Sequence, residues 1–209
     1  MLNSPSRFQD AIFNFVRAGD GDAVVRATAG SGKTTTLKHV ATMLPEHLRV
    51  CFLAFNNNTR QELEAKLPRR GKVRTFHQIG REALKAFATE RGIGLDKNEE
   101  KQKTIARAAI SEIAAADSEF PFRHGLSFML KLLRLSRVNC IPLKSEVKLR
   151  ELSLKYNLRP PHDPRIETLI FKAIPRVYNC LRRNFTQDGV MDFDDMQCLP
   201  EEMDLPLSK

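Results

Sequence analysis

The chain has 209 residues, 42% of them hydrophobic, which is enough for one sizeable domain with its own core. It has no run of about 18 apolar residues and no charged-then-apolar start, which excludes a membrane-spanning helix and a signal peptide, so we expect a cytoplasmic protein. The net charge of +9 favours a polyanionic partner such as nucleic acid. The four dispersed cysteines indicate neither a disulfide framework nor a zinc site.

Helix and strand patterns alternate from the start of the chain. Apolar spacing predicts a helix over 6–16, a buried strand over 23–28 and a helix over 33–43. The continuously apolar run 50–55 predicts a strand covered on both faces. The polar residues 56–59 then cap a helix that runs to Leu67 and ends at Pro68.

A third strand is predicted over 72–75 and a helix over 76–88. This alternation favours a parallel α/β sheet with right-handed crossovers. After residue 94 no strand-like run follows. Helical periodicity instead predicts four helices, over 97–115, 124–137, 145–156 and 163–185. Pro175 should kink or split the last helix.

The segment between the predicted strand and the second helix has the pattern of a phosphate-binding loop. Gly30 and Gly32 let the backbone approach an anion, and successive N–H groups and the helix N-terminus would face it. Lys33 would reach the β- and γ-phosphates, and the Thr34 hydroxyl would bind Mg²⁺. Ala27 replaces the leading glycine of G-x-x-x-x-G-K-[ST]. A glycine-rich turn with a chance Lys-Thr is the competing interpretation.

Five segments together resemble the UvrD/Rep-like superfamily 1 DNA helicases. Residues 8–12 resemble the family's Q motif, whose glutamine reads the adenine edge. Residues 27–34 match its version of the phosphate loop, which commonly begins with alanine. Segments 53–58 and 73–80 resemble motifs Ia and Ib, and 189–196 resembles the Asp-Phe-x-Asp segment shortly before motif II.

This resemblance implies ATP and Mg²⁺ as cofactors and assigns the site residues. Lys33 and Thr34 would be catalytic, and Thr34 would hold Mg²⁺. The implied ATP-binding residues are Gln9, Ala27, Thr28, Ala29, Gly30, Ser31, Gly32, Lys33, Thr34 and Thr35. Those expected to contact single-stranded DNA are Phe55, Asn56, Asn57, Thr75, Phe76 and His77. Aromatic rings can stack on bases, and polar side chains can donate to phosphates.

Each of these side chains also has an ordinary structural interpretation. Gln9 could be a surface glutamine of an amphipathic helix, Phe55 and Phe76 could be core aromatics, and His77 could be structural. The aspartates within 192–195 could suggest a metal site. We favour the interpretation that these aspartates mark the start of a helix, where acidic side chains interact favourably with the helix dipole.

The resemblance implies an α/β P-loop NTPase of the RecA-like type, with an incomplete parallel sheet and an all-α insertion subdomain. We expect the first half of a motor domain over 1–92, the helical insertion over 93–186 and a return segment over 187–209, truncated before motif II. In the family, motif II supplies a carboxylate pair and a second domain supplies arginines for hydrolysis. The chain would then be an experimental fragment, a truncated reading frame or part of a split protein.

The leading hypothesis is the N-terminal portion of an ATP-dependent DNA helicase that couples hydrolysis to 3′→5′ translocation and unwinding, and that is not catalytically competent alone. Its partners would be single-stranded DNA, duplex junctions and the missing C-terminal helicase domains in cis or trans, with no membrane. The alternatives are a non-catalytic nucleic-acid-binding or regulatory protein derived from a truncated helicase, and an unrelated P-loop phosphotransferase.

Overall fold

The computed structural model describes residues 4–67, 71–115, 120–139, 141, 145–161 and 163–207. Over these ranges the protein is a mostly helical α/β chain with two parallel two-stranded sheets. It divides into two compact units, Met1–Phe76 and His77–Lys209. None of the helices in the described ranges combines the length and the apolar character needed to cross a membrane. The domain boundaries expected at 92 and 186 stay a prediction.

The described part of the first unit contains two strands and three helices. They are α1 (Arg7–Ala18), α2 (Lys33–Met43), β1 (Val50–Ala54), α3 (Asn57–Lys66) and β2 (Gly71–Thr75). The two strands pair in parallel over their full length, so their last residues, Ala54 and Thr75, lie side by side. The helix stop predicted at Pro68 falls outside the described residues.

Local sequence signals set the helix boundaries of this unit. Ser6 and Gln9 form a capping box, in which the Ser6 hydroxyl accepts the Gln9 N–H and the Gln9 side chain accepts the Ser6 N–H. Gly19 ends α1 in the left-handed conformation, with φ of 70°. The Asn56 side chain accepts the N–H of Thr59 at 2.8 Å and starts α3. The helix starts predicted near Ser6 and at Asn56 are therefore confirmed.

The core of the first unit lies on one side of its small sheet. It consists of Ala41, Ala54, Leu63, Leu67 and Val73, with the half-buried Phe52 packed against it. Burial of these side chains attaches α2 and α3 to the sheet, because removing apolar area from water contributes roughly 25 cal/mol per Å².

Two predictions for this unit are wrong. Residues 22–28 form no strand, and Val24 is 90% exposed. An apolar run becomes a strand only where a neighbouring strand completes its hydrogen bonds, and none among the described residues does so here. β1 is covered on one face only, because Cys51 and Leu53 point away from the core and Leu53 is 46% exposed.

The second unit is mainly helical. Its elements are α4 (Phe76–Glu90), which begins at the last residue of the first unit, β3 (Asp96–Lys97), α5 (Lys101–Ala115), α6 (Phe122–Val138), α7 (Glu146–Lys155), α8 (Pro164–Thr186), β4 (Val190–Met191) and α9 (Phe193–Glu202). The helices predicted for 124–137, 145–156 and 163–185 agree with α6, α7 and α8 to within two residues.

A large apolar cluster joins α5, α6, α7 and α8. Ile110, Leu132, Leu149 and Ile174 come from these four helices in turn, and each is fully buried. Pro175 does not split α8, which continues to Thr186. Pro175 removes one backbone hydrogen bond, but the burial of its neighbours on this helix compensates for that loss.

The β3–β4 sheet is an element that the sequence analysis missed. Asp96 pairs with Val190 and Lys97 with Met191 in parallel. The expectation of no strand after residue 94 is therefore wrong. The sequence could not indicate these strands, because two residues are too few to show a periodicity. Gly189 precedes β4 with φ of 70°, and a Cβ there would lie 1.7 Å from the carbonyl oxygen of Gly94, so only glycine permits this approach.

A network of buried charges joins three helices of this unit. The guanidinium of Arg137 on α6 binds both oxygens of Asp192, at 3.0 and 2.8 Å, and Asp195 at 2.5 Å. The ammonium of Lys101 on α5 binds Asp195 at 2.6 Å and the Val190 carbonyl at 2.8 Å. All four charged residues are buried.

The same aspartates form the capping box that starts α9. This confirms the helix-start interpretation of Asp192 and Asp195, but the sequence analysis missed the two cations that face them. Among the described residues, no group of acidic, histidine and cysteine side chains has the arrangement of a metal site.

The network shifts the titration of its members in opposite directions. Burial alone would raise the pKa of Asp192, but the hydrogen bonds and charge of Arg137 outweigh it and hold this pKa below its ordinary value. Burial raises the pKa of Asp195, and the charge of Arg137 offsets this only in part. Burial also raises the pKa of the neighbouring Cys198 thiol to about 11. Arg137 thus opposes the effect of burial on the pKa of both carboxyl groups.

We expect Arg137→Met to lower the free energy of unfolding by about 3–5 kcal/mol at neutral pH, because it leaves buried carboxylates without a counter-charge. Urea unfolding followed by circular dichroism measures this. Arg123→Met, which removes an exposed arginine from the same helix, should change the free energy by less than about 0.5 kcal/mol.

The difference between the native chain and Arg137→Met should shrink on acidification. The lowered pKa of Asp192 contributes stability to the native chain above the unfolded pKa of about 3.9, and that stability is lost as the pH falls. In the variant, burial without the guanidinium raises the carboxyl pKa, so protonation relieves its destabilisation. A pH-independent difference would contradict this account of the network.

Candidate functional site

Two glycines shape the loop that leads into α2. Gly30 and Gly32 have φ values of 77° and 79°, in the left-handed region that glycine adopts without steric cost. Gly32 is the N-cap of α2 and provides no side-chain cap. The first intrahelical bond runs from the N–H of Thr36 to the carbonyl of Gly32, at 2.9 Å. Helix geometry therefore leaves the N–H groups of 33–35 available to an outside acceptor.

The Lys33 ammonium lies directly over this loop. It donates to the carbonyls of Ala27, at 3.2 Å, and Thr28, at 2.6 Å. The Ser31 hydroxyl also donates to the Thr28 carbonyl, at 2.8 Å. A full positive charge thus lies beside the partial positive charge of the α2 N-terminus, and together they favour a multiply charged anion.

Two contacts hold α1 against α2. The Gln9 side-chain N–H₂ donates to the Thr36 hydroxyl at 3.0 Å, and that hydroxyl donates to the carbonyl of Gly32, also at 3.0 Å. Farther along, the rings of Phe13 and His39 lie 4.5 Å apart. Gln9 is therefore tied to the loop by a chain of two hydrogen bonds.

The Gln9 amide still has unused hydrogen-bonding capacity. Its oxygen accepts one N–H, from Ser6 at 2.9 Å, and its nitrogen uses one of two protons on Thr36. One lone pair and one proton remain on the same amide. This side chain can therefore still offer one acceptor and one donor.

Five of the residues expected at DNA lie at one edge of the β1–β2 sheet. Phe55 follows β1 and Phe76 follows β2, and the strand ends beside them are paired. Phe55 is 87% and Phe76 56% exposed, so neither is a core aromatic. Asn56 and Asn57 begin α3 at this edge, while Thr75 is 5% exposed.

His77 belongs to the second unit and has partners there. Its ring meets Phe193 edge to face at 5.2 Å, and its Nε2 lies 3.2 Å from the Gln197 side-chain nitrogen. Phe193 also lies under the Lys97 ammonium, 3.7 Å from the ring centre. The expected DNA contact of His77 stays a prediction, as do the other site assignments.

The comparison with known families decides the family of the chain. Residues 8–205 match the model of the UvrD/REP helicase N-terminal domain. The chain belongs to the UvrD/REP helicase family. No curated protein matches it. The matched range includes the glycine loop, Gln9 and the exposed edge of the β1–β2 sheet.

Thr36 is the residue of this UvrD/REP domain that the sequence analysis missed. It is buried, and it is the only described side chain that links Gln9 to the backbone of the glycine loop. The sequence did contain a signal, because helix geometry places Thr36 on a different side of α2 from Thr34 and Thr35. Recognising it required knowing that α1 packs on that side.

We expect Thr36→Val to lower the free energy of unfolding by about 1 kcal/mol, because it keeps the side-chain volume but removes two hydrogen bonds. Thr35→Val, one residue away on the exposed face, is the matched control and should be nearly neutral. Urea unfolding of both variants measures the difference, and equal stabilities would mean that the Gln9–Thr36 link does not hold α1 in place.

Proposed function

We propose that this chain is the ATP-binding N-terminal part of a DNA helicase, in which residues 27–35 bind the phosphates of Mg·ATP and the edge formed by Phe55 and Phe76 binds single-stranded DNA. The observation that carries the proposal is the loop with two left-handed glycines, with Lys33 over it and Gln9 attached to it. The RecA-like fold and the boundaries 1–92, 93–186 and 187–209 form part of the proposal.

The donors at the loop fit a nucleoside triphosphate. The backbone N–H groups of 33–35 and the helix N-terminus favour phosphate oxygens. Lys33 already lies at the loop, and an exchange of its two carbonyl acceptors for phosphate oxygens gives stronger bonds, because donor and acceptor are then both charged. The Thr34 hydroxyl follows immediately and would hold Mg²⁺, which supplies charge neutralisation at the phosphates.

The Gln9 amide fits the edge of an adenine ring. Adenine offers a donor at N6 beside an acceptor at N7, and the free lone pair and free proton of Gln9 complement that pair. Thr36 fixes the amide from the opposite side. Gln9 would thus bind the base while residues 27–35 bind the phosphates of the same nucleotide.

The exposed aromatics at the sheet edge support DNA binding without sequence preference. Phe55 and Phe76 are exposed, and base stacking on aromatic rings is worth roughly 1–3 kcal/mol per base. Asn57 is exposed beside them and can donate to a phosphate. The net charge of +9 favours the strand over neutral partners and makes binding dependent on salt.

Hydrolysis needs groups beyond this loop. A carboxylate pair must hold Mg²⁺ and orient the attacking water, and an arginine must stabilise the transferred phosphoryl group. We assign these groups to helicase domains supplied in cis or in trans, so that closure around the nucleotide drives 3′→5′ movement. The 209-residue chain by itself should bind nucleotide and DNA without appreciable turnover.

Lys33→Ala should weaken binding of Mg·ATP at least tenfold, because it removes the full positive charge from the loop. Anisotropy of a fluorescent ATP analogue measures the affinity. Lys38→Ala, which removes an exposed lysine from the same helix, should change it less than twofold. Phosphate release with single-stranded DNA is measured alongside. ATP binding that is indifferent to Lys33, or DNA-stimulated release by the native chain, would contradict the proposal.

Phe55→Ala should weaken binding of a short oligothymidylate by roughly 5- to 150-fold, the equivalent of one stacked base. Phe8→Ala, at another exposed aromatic, is the matched control and should leave the affinity within twofold. Measuring the affinity at several salt concentrations separates stacking from phosphate contacts. Loss of stacking should lower the affinity without changing the slope of log affinity against log salt concentration. Equal affinities of the native chain and Phe55→Ala would remove this edge from the DNA-binding surface.

A further inference from the structure

A cavity of about 330 Å³ lies in the second unit, between α6 and the segment that follows α7. Three polar residues from one face of α6, His124, Ser127 and Lys131, form one wall. Asn157 and Arg159 belong to the opposite wall. The volume is at the lower end of the range of about 300–1,000 Å³ typical of small-molecule sites.

The walls carry positive charge without a counter-charge. Lys131 and Arg159 are exposed, and neither forms an ion pair within the described part of the chain. No carboxylate lines the cavity among those residues. By contrast, the nearby Arg150 is held by two glutamates, Glu146 and Glu167. Two uncompensated cations facing one cavity favour an anionic ligand.

Hydrogen bonds fix the shape of the cavity. The Nε2 of His124 lies 3.1 Å from the Arg159 carbonyl and joins the two walls. The end of α7 borders the cavity, and its last carbonyls would repel an anion if they were free. They accept the N–H groups of Asn157 and Leu158, at 3.0 and 2.9 Å. The Ser127 hydroxyl remains as a further donor beside the cations.

Apolar side chains complete the lining. Phe128 is buried beneath the polar residues of α6, and Leu158 lies on the opposite wall. A bare anion gains nothing from an apolar wall, whereas a ligand with a sugar or a flat ring buries apolar area against the half-buried Leu158. The lining therefore combines a phosphate-binding side with an apolar side.

We propose that this cavity binds one nucleotide unit, either a free mononucleotide or one nucleotide of a nucleic acid strand, with its phosphate on Lys131 and Arg159. The two sources share the same chemistry. The site uses none of the residues of the glycine loop and lies in the other unit, so it goes beyond the proposed function.

The test follows ¹⁵N amide signals of the full 209-residue chain carrying Lys33→Ala, which weakens nucleotide binding at the loop, and Phe55→Ala, which weakens strand binding at the sheet edge. Thymidine 5′-monophosphate, oligothymidylate and inorganic phosphate are titrated separately at low salt. We expect the amide signals of Ser127, Asn157 and Leu158 to shift. Signals of Gly30 and Gly32 in the chain with Lys33 report on the proposed ATP site independently.

The double variant Lys131→Glu and Arg159→Glu should bind the mononucleotide or the strand at least tenfold more weakly. Lys172→Glu together with Arg183→Glu, at two exposed cations of α8 outside the cavity, changes the net charge by the same amount; this pair is the matched control and should stay within twofold. Both cavity residues are exposed, so the double variant should fold, and its amide spectrum checks this.

Weaker binding in the mononucleotide series assigns the cavity to a free nucleotide, and weaker binding in the strand series alone assigns it to a strand. Unchanged affinity of the double variant for both probes overturns the proposal. Binding of inorganic phosphate without either nucleotide probe overturns it as well, because the apolar wall would then have no part in recognition.

Discussion

The buried guanidinium of Arg137 is the interaction on which the second unit depends. Its side chain is removed from water, so two carboxylates must face it, and both lie at the start of α9. Lys101 then balances the second negative charge from α5. Apolar packing would allow these helices to slide over one another. The bidentate Arg137–Asp192 pair fixes α6 against α9, and the Lys101–Asp195 pair attaches α5 to the same helix start.

Much of the fold was predictable because its signals are local. The capping box at Ser6, the stop at Gly19 and the periodic apolar residues of α6, α7 and α8 all act within a few positions of the chain. The Arg137 network was not predictable, because Asp192 and Asp195 lie 55 and 58 residues away from Arg137 in sequence. The failed strand over 23–28 has the same cause, since a strand depends on a distant neighbour.

The candidate site likewise has one part that local sequence signals predict and one part that depends on contacts between distant residues. Gly30, Gly32 and Lys33 lie within four consecutive residues, so their spacing alone predicted a phosphate-binding loop. The exposure of Phe55 and the burial of Thr75 depend on how β1 and β2 pair, which no local pattern contains. The link from Gln9 through Thr36 depends on the packing of two helices. Membership of the UvrD/REP family fixes the kind of domain, and the packing of this chain supplies these contacts.

The sulfur of Cys198 acquires an unusual chemical property from its position. It lies in the apolar cluster beside Arg137, where burial raises its pKa to about 11. The raised pKa lowers the thiolate fraction at neutral pH below its already small ordinary value, and electrophiles attack the thiolate. Alkylation of this sulfur requires α9 to separate from its neighbours first. The rate at which this thiol is alkylated thus reports how often this part of the protein opens.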